Sequence, residues 1–166
     1  MSNISPEIIS EAKRYLSPSQ DSLVKDVEIV LKSLAGNHIN DYSFLVSPIS
    51  KAYEGYLKDF FLKTNIIDKY SYESDRFRVG KTLNPSLRYK RFSIYQKLAS
   101  LNEEGEALAE KLWTAWKYGR NEIFHYFPNN LKNLSRDEAE ERITMLLSAI
   151  VTSGRFYKKY LENSLL

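Results

Sequence analysis

Apolar positions recur with a helical period along almost the whole chain. "SPEIISEAKRYL" opens with Ser5 as an N-cap and Pro6 at the first helical position, where a missing N–H costs nothing. "DSLVKDVEIVLKSLAGN" puts Leu23, Val27, Val30, Leu31 and Leu34 on one stripe. It stops at Gly36-Asn37, residues able to take the left-handed conformation that ends helices. "SPISKAYEGYLKDFFLKT" repeats the Ser-Pro opening at Ser47-Pro48 and aligns Ile49, Tyr53, Leu57 and Phe60. A less regular stretch over 66–85, "IIDKYSYESDRFRVGKTLNP", fits a short hairpin or a loop.

After Pro85, "SLRYKRFSIYQKLASLN" returns to the helical period. "NEEGEALAEKLWTAWKYGRNEIF" begins with the acidic residues that a helix dipole favours in a first turn. "SRDEAEERITMLLSAIVTSGRFYKKYLE" opens with a capping box, Ser135 and Glu138, and ends in Arg155, Lys158 and Lys159, favourable at a C-terminus. With no repeat, low-complexity tract or linker, the pattern predicts an all-α fold: a single helical bundle over 1–166.

Size and composition suit such a bundle. A chain of 166 residues can bury a core without staples. The absence of cysteine removes disulfides, thiolate metal sites and thiol nucleophiles, and fits a reducing, cytoplasmic setting. The start, "MSNISPEIIS", lacks the basic and apolar regions of a secretory leader, and no apolar run approaches a membrane span. His38, in "AGNHIND", has no acidic or His neighbour at ligand spacing, so neither a metal nor another cofactor is expected. There is also no glycine-rich phosphate loop and no nucleophile elbow.

Net charge is only +3, so its distribution matters more than its total. Between Asp75 and Glu103 no residue is acidic. That interval holds Arg76, Arg78, Lys81, Arg88, Lys90, Arg91 and Lys97, interleaved with Phe77, Tyr89, Phe92 and Tyr95. Clustered cations attract phosphates, and aromatics stack on splayed bases, as single-stranded RNA recognition requires. A solvated basic face whose aromatics belong to the core explains the same pattern equally well.

One segment, "YGRNEIFHYF", is chemically unusual. At 100° per residue, Leu108, Leu112, Ala115, Trp116, Gly119, Ile123 and Phe127 form a buried stripe. Asn121 and His125 share the opposite face with Thr114, and Arg120 lies on a flank beside Trp113 and Phe124. Arg120 and His125 are then turned about 140° apart on one ideal helix. They converge on one ligand only if the helix breaks here or if two copies face each other. The plainer alternative is a solvent-facing His125 and an Arg120 that covers a tryptophan.

"RNEIFH" resembles the R-x(4–6)-H motif of the HEPN superfamily, including the polar residue that commonly follows the Arg. "AYEGYLKDFF", about 60 residues earlier, together with "RNEIFH" is similar to the catalytic domain of RNase LS-type toxins (the RnlA/LsoA group), where a Glu-Gly accompanies the Arg–His pair. The resemblance covers about 47–162, leaving 1–40 as N-terminal helices without a specific counterpart. It implies a HEPN-like helical core and metal-independent RNA cleavage by a homodimer with a composite cleft. It further implies a toxin restrained by a protein antitoxin and used in phage defence.

On that resemblance, Arg120 holds the scissile phosphate and His125 moves a proton at the ribose 2′-OH or the leaving 5′-oxygen. Asn121 fixes the imidazole or donates to phosphate. Glu54 orients His125 or pairs with Arg120, unless it is a surface carboxylate bonded to Lys58. Gly55, in a helix interior at a cost of about 1 kcal/mol relative to Ala, implies close packing or a close partner. The expected products carry 2′,3′-cyclic phosphate and 5′-hydroxyl ends. The alternatives are a catalytically silent helical module that binds RNA or protein, and a target of a nucleotidyltransferase with Tyr126 among its candidate sites.

Overall fold

Ser-Pro pairs start the first two helices of the chain. Helix α1 (Pro6–Lys13) begins where Ser5 Oγ accepts from the Ile8 N–H, and α2 (Pro18–Ser33) where Ser17 and Gln20 complete a capping box. The α2 start lies three residues ahead of the expected one, and its buried stripe is Val24, Val27 and Leu31. The computed structural model describes residues 3–164 except Ala35 and Asn37, with side chains as far as Tyr160. Gly36 does take a left-handed φ of 83°, whereas Asn37 lies outside the described residues.

Helix α3 (Ser43–Lys63) does not open at Ser47-Pro48: Pro48 sits inside it. The extra first turn buries Leu45 and Val46 to 1% and 0% exposure, which outweighs the backbone hydrogen bond that proline cannot make. Asp41 holds that start by accepting from the Ser43 N–H at 2.9 Å and the Ser43 hydroxyl at 2.6 Å. Downstream, Ile49, Tyr53, Leu57 and Phe60 are all buried, as their spacing predicts.

No hairpin forms over 66–85, and no strand occurs among the described residues. Two short helices, α4 (Lys69–Glu73) and α5 (Val79–Thr82), occupy that stretch, followed by a 3-10 turn at Pro85–Leu87. The helix expected after Pro85 shrinks to α6 (Ile94–Ala99), capped by Ser93. Then come α7 (Gly105–Trp116), a π turn at Lys117–Asn121, the short α8 (Glu122–Phe124), a 3-10 turn at Pro128–Asn130 and the long α9 (Arg136–Ser164). The Ser135–Glu138 capping box is present.

Helix α3 is the hub, packed on α2 and α9, while α7 lies on α6 and α9, and α1 lies on α9. One buried apolar cluster draws on all of these helices. Gly55 makes the α2–α3 approach possible: a Cβ there would stand 3.0 Å from Gln20 Nε2, which itself donates to Asp59 at 2.8 Å. Arg155 and Lys159 do not lie in the last turn of α9. They tie it back to Glu11 of α1 and Glu104 beside α7. No helix among the described residues is long and apolar enough to cross a membrane.

Candidate functional site

The helix that carries Arg120 changes pitch before reaching it. From Lys117 to Asn121 the backbone forms a π turn, with the Glu122 N–H reaching back five residues to the Lys117 carbonyl. In such a turn residue i+5 stands roughly over residue i, so the 100° projection fails from here on. Asn121 therefore does not face away from the core. Its Oδ1 accepts from the Trp116 indole N–H at 3.1 Å.

Helix α3 fastens the widened turn at two positions four residues apart. Ser50, 1% exposed, lies with its hydroxyl on the Gly119 carbonyl and 3.0 Å from the Val46 carbonyl. One turn on, Glu54 Oε2 accepts from Arg120 Nε at 3.0 Å. Thus Glu54 pairs with Arg120 rather than with Lys58, whose ammonium lies over Phe77. Gly119 permits the contact with α9, since a Cβ there would stand 2.6 Å from Leu146 Cγ. Tyr53 adds a buried hydrogen bond of 2.9 Å to the Leu112 carbonyl, and burial pushes its phenol pKa well up, which keeps it a donor.

Arg120 is sandwiched as well as paired. Its guanidinium carbon lies 5.0 Å from the ring centroids of both Trp116 and Phe124. Phe124 is the neighbour that the helical projection expects, and Trp116 precedes Arg120 by four residues, a spacing that brings side chains together on any helix. A guanidinium carries five N–H donors. The Nε–H is committed to Glu54, and the two Nη groups have no partner among the described residues. That geometry suits an oriented anion clamp: one edge is fixed, two rings lie against the guanidinium, and the fork is left open.

His125 lies just past the helix. It caps α8 with φ −109° and ψ 127°, so it is extended and no longer shares a helical face with Asn121. Its imidazole is exposed and makes no hydrogen bond or ion pair among the described residues. Neither Asn121 nor Glu54 hydrogen-bonds it within the chain. Phe124 and Tyr126 on either side of it are 51% and 79% exposed, and elsewhere Leu131 and Phe44 are 76% and 43% exposed. Phe127, expected in the buried stripe, is half-buried under Lys132, and Ile123 is also half-buried. Glu122 anchors the segment to Lys132 at 3.1 Å and Arg142 at 3.5 Å.

The basic segment is not uniform. Arg78 is folded onto the Asp75 carbonyl, Arg88 onto Glu106 at 2.9 Å, and Lys97 onto the Ile66 carbonyl at 3.1 Å. Arg76, Lys81, Lys90 and Arg91 have no acidic partner among the described residues. Helix α5 brings this segment against the Arg120 sandwich, because a Cβ on Gly80 would lie 2.5 Å from Trp116 Nε1. The pattern of residues does not link the two regions. Nor does it single out Ser50, Gly80 or Trp116. The one available signal is Gly119, a glycine interrupting an otherwise regular helix. His38 is an exposed loop residue, and no cluster of three metal-ligating side chains occurs among the described residues.

No protein-family model matches the chain, and comparison with curated proteins and with solved structures also gives no match.

Proposed function

We propose that this chain is a metal-independent endoribonuclease of the HEPN type, acting as a toxin. The observation that carries the reading is the Arg120 clamp: Glu54 holds Nε, Trp116 and Phe124 lie against the guanidinium, and the open fork lies a few residues before an exposed histidine at a helix end. Arg120 binds the scissile phosphate and offsets the negative charge that builds up in the transition state. The His125 imidazole accepts the 2′-OH proton while the 2′-oxygen attacks phosphorus. The bond to the 5′-oxygen breaks, and that oxygen leaves with a proton from an imidazolium. The products are a 2′,3′-cyclic phosphate and a 5′-hydroxyl end.

Each protomer offers one exposed imidazole at this site, whereas the reaction needs a base and an acid. A homodimer supplies both by placing two Arg–His pairs across one cleft. The exposed Phe124 and Tyr126 on either side of His125 give that face the apolar character an interface uses. A protein antitoxin that covers this face would restrain the enzyme, in keeping with a role in phage defence. The test is RNA cleavage in EDTA by the wild type, Arg120→Ala and His125→Ala. Cleavage that vanishes in both variants supports the reading. Activity that survives His125→Ala, or that requires added metal, defeats it and leaves a silent RNA- or protein-binding module.

A further inference from the structure

Two exposed rings between α5 and α6 each carry a lysine over one face. Lys81 Nζ stands 5.2 Å from the Phe92 centroid, and Lys90 Nζ stands 4.8 Å from the Tyr89 centroid. Phe92 is 41% and Tyr89 73% exposed. Rings left in water beside cations, rather than drawn into the core, provide surfaces on which flat ligands can stack.

Two open recesses adjoin these rings and share Lys97 as a common wall. One, of about 550 Å³, has Phe77, Thr82 and Phe92 in its lining. The other, of about 810 Å³, is lined by Arg88, Tyr89, Lys90 and Arg91 among others. The carboxylate in the first recess, Asp68, caps α4 by accepting from the Ser71 N–H at 2.8 Å. Lys81, Lys90 and Arg91 form no ion pair among the described residues. The strip also adjoins Arg120, since Gly80, next to Lys81, touches the Trp116 indole that forms one face of the Arg120 sandwich.

We infer that a single-stranded polyribonucleotide runs from Arg120 across α5 into this strip. Its phosphates meet Lys81, Lys90 and Arg91, and its bases stack on Phe92 and Tyr89. The inference rests on reading Arg120 as a phosphate clamp, and it specifies the form of the substrate. A duplex is disfavoured because its bases are already stacked on one another and present no free face. Cations alone would bind any polyanion, whereas cations alternating with exposed rings select an unpaired strand.

The test uses the full chain with His125→Ala, to prevent cleavage, and fluorescein-labelled RNA of about 12 nucleotides, within the usual range of single-strand sites. Anisotropy gives affinity for the single strand and for a blunt duplex of the same sequence over a range of salt. The single strand is expected to bind at least about tenfold more tightly than the duplex. Tyr89→Ala with Phe92→Ala should weaken the single strand about tenfold or more at an unchanged salt slope. Lys90→Gln with Arg91→Gln should flatten that slope. Tyr89→Ala alone, at so exposed a position, preserves the test if the Phe92 variant fails to fold.

Equal affinity for the duplex, affinity for polyglutamate with the same ring dependence, or single-strand affinity indifferent to the rings would overturn the inference. If the wild type cleaves no RNA but single-strand binding still needs the rings, the nuclease reading fails and the strand path stands. If RNA is cleaved but binding ignores the rings, the strand path fails and the nuclease reading stands.

Discussion

Asn121 accepts its hydrogen bond from the indole of Trp116, five residues back, and that indole is one wall of the Arg120 sandwich. Asn121 therefore reaches Arg120 through tryptophan, and on the proposed function it acts as a positioning residue. Trp116→Phe keeps a ring and loses the N–H; Asn121→Ala loses the acceptor. Each should lower kcat/KM by about tenfold, as loss of one hydrogen bond implies, and the double variant should fall little further. The indole N–H proton resonance of Trp116 should shift in Asn121→Ala whether or not RNA is present. Fully additive losses, with an unmoved resonance, would place Asn121 on the substrate instead.

The Glu54–Arg120 pair should matter to chemistry more than to stability. Both side chains are 33% exposed, and pairs of that kind contribute about 0–1 kcal/mol. Glu54→Ala frees the guanidinium to leave its sandwich, so kcat/KM should drop by tenfold or more (about 1.4 kcal/mol) while the melting temperature moves by only a few degrees. Glu54→Gln keeps an oxygen for Nε and should fall between the two. A large drop in melting temperature would make the pair a structural brace instead.

A composite cleft has a simple signature in mixed populations. Equal amounts of Arg120→Ala and His125→Ala protein, unfolded and refolded together, should form heterodimers whose one Arg120 and one His125 come from different protomers. Their activity should differ from the average of the two parents. A protein that remains monomeric by light scattering at micromolar concentration counts against this geometry.

Gly119 lies where α9 comes closest to the π turn. In Gly119→Ala the new methyl would sit 2.6 Å from Leu146 Cγ, and overpacking of that kind costs about 1–3 kcal/mol. Urea denaturation should show this loss. Combining it with Leu146→Ala should cost less than the two changes summed, because the second makes room for the first.

Acid should loosen the segment that follows His125. Asp41 also accepts from Asn130 Nδ2 at 3.0 Å and from the Leu134 N–H at 3.2 Å. Burial raises its pKa, but its donors, Ser43, Asn130 and Leu134, outweigh burial and hold it down to about 2, against an ordinary 3.8. Because the folded value is the lower one, the stabilisation is complete above about pH 4 and is lost as pH falls toward about 2. It amounts to about 1–2 kcal/mol. Asp41→Asn should flatten stability against pH over that window and speed amide exchange in 130–134. An unchanged pH profile would remove Asp41 from this role.

Periodicity carried the fold because it reports burial: the stripe Ile49–Tyr53–Leu57–Phe60 is both read and observed. It misplaced the start of α3, where burying Leu45 and Val46 overrides the local preference of Ser47-Pro48. It also misplaced the face of Asn121, since a projection at fixed pitch cannot register a π turn. Glu54 and Arg120 are 66 positions apart, and their pairing is set by tertiary packing that no local pattern encodes. The contact between Gly80 and Trp116 was hidden for the same reason.

The widened turn has a consequence for how this molecule tolerates change in length. It amounts to one surplus residue in an otherwise regular rod. Deleting a single position between Trp116 and Arg120 would let the rod close back to ordinary pitch with the residues on both sides of the turn still in register. Deletions are usually damaging because they break a core. Here a one-codon deletion is expected to spare the core and to disturb only the local seating of Gly119 on Ser50 and of Arg120 on Glu54.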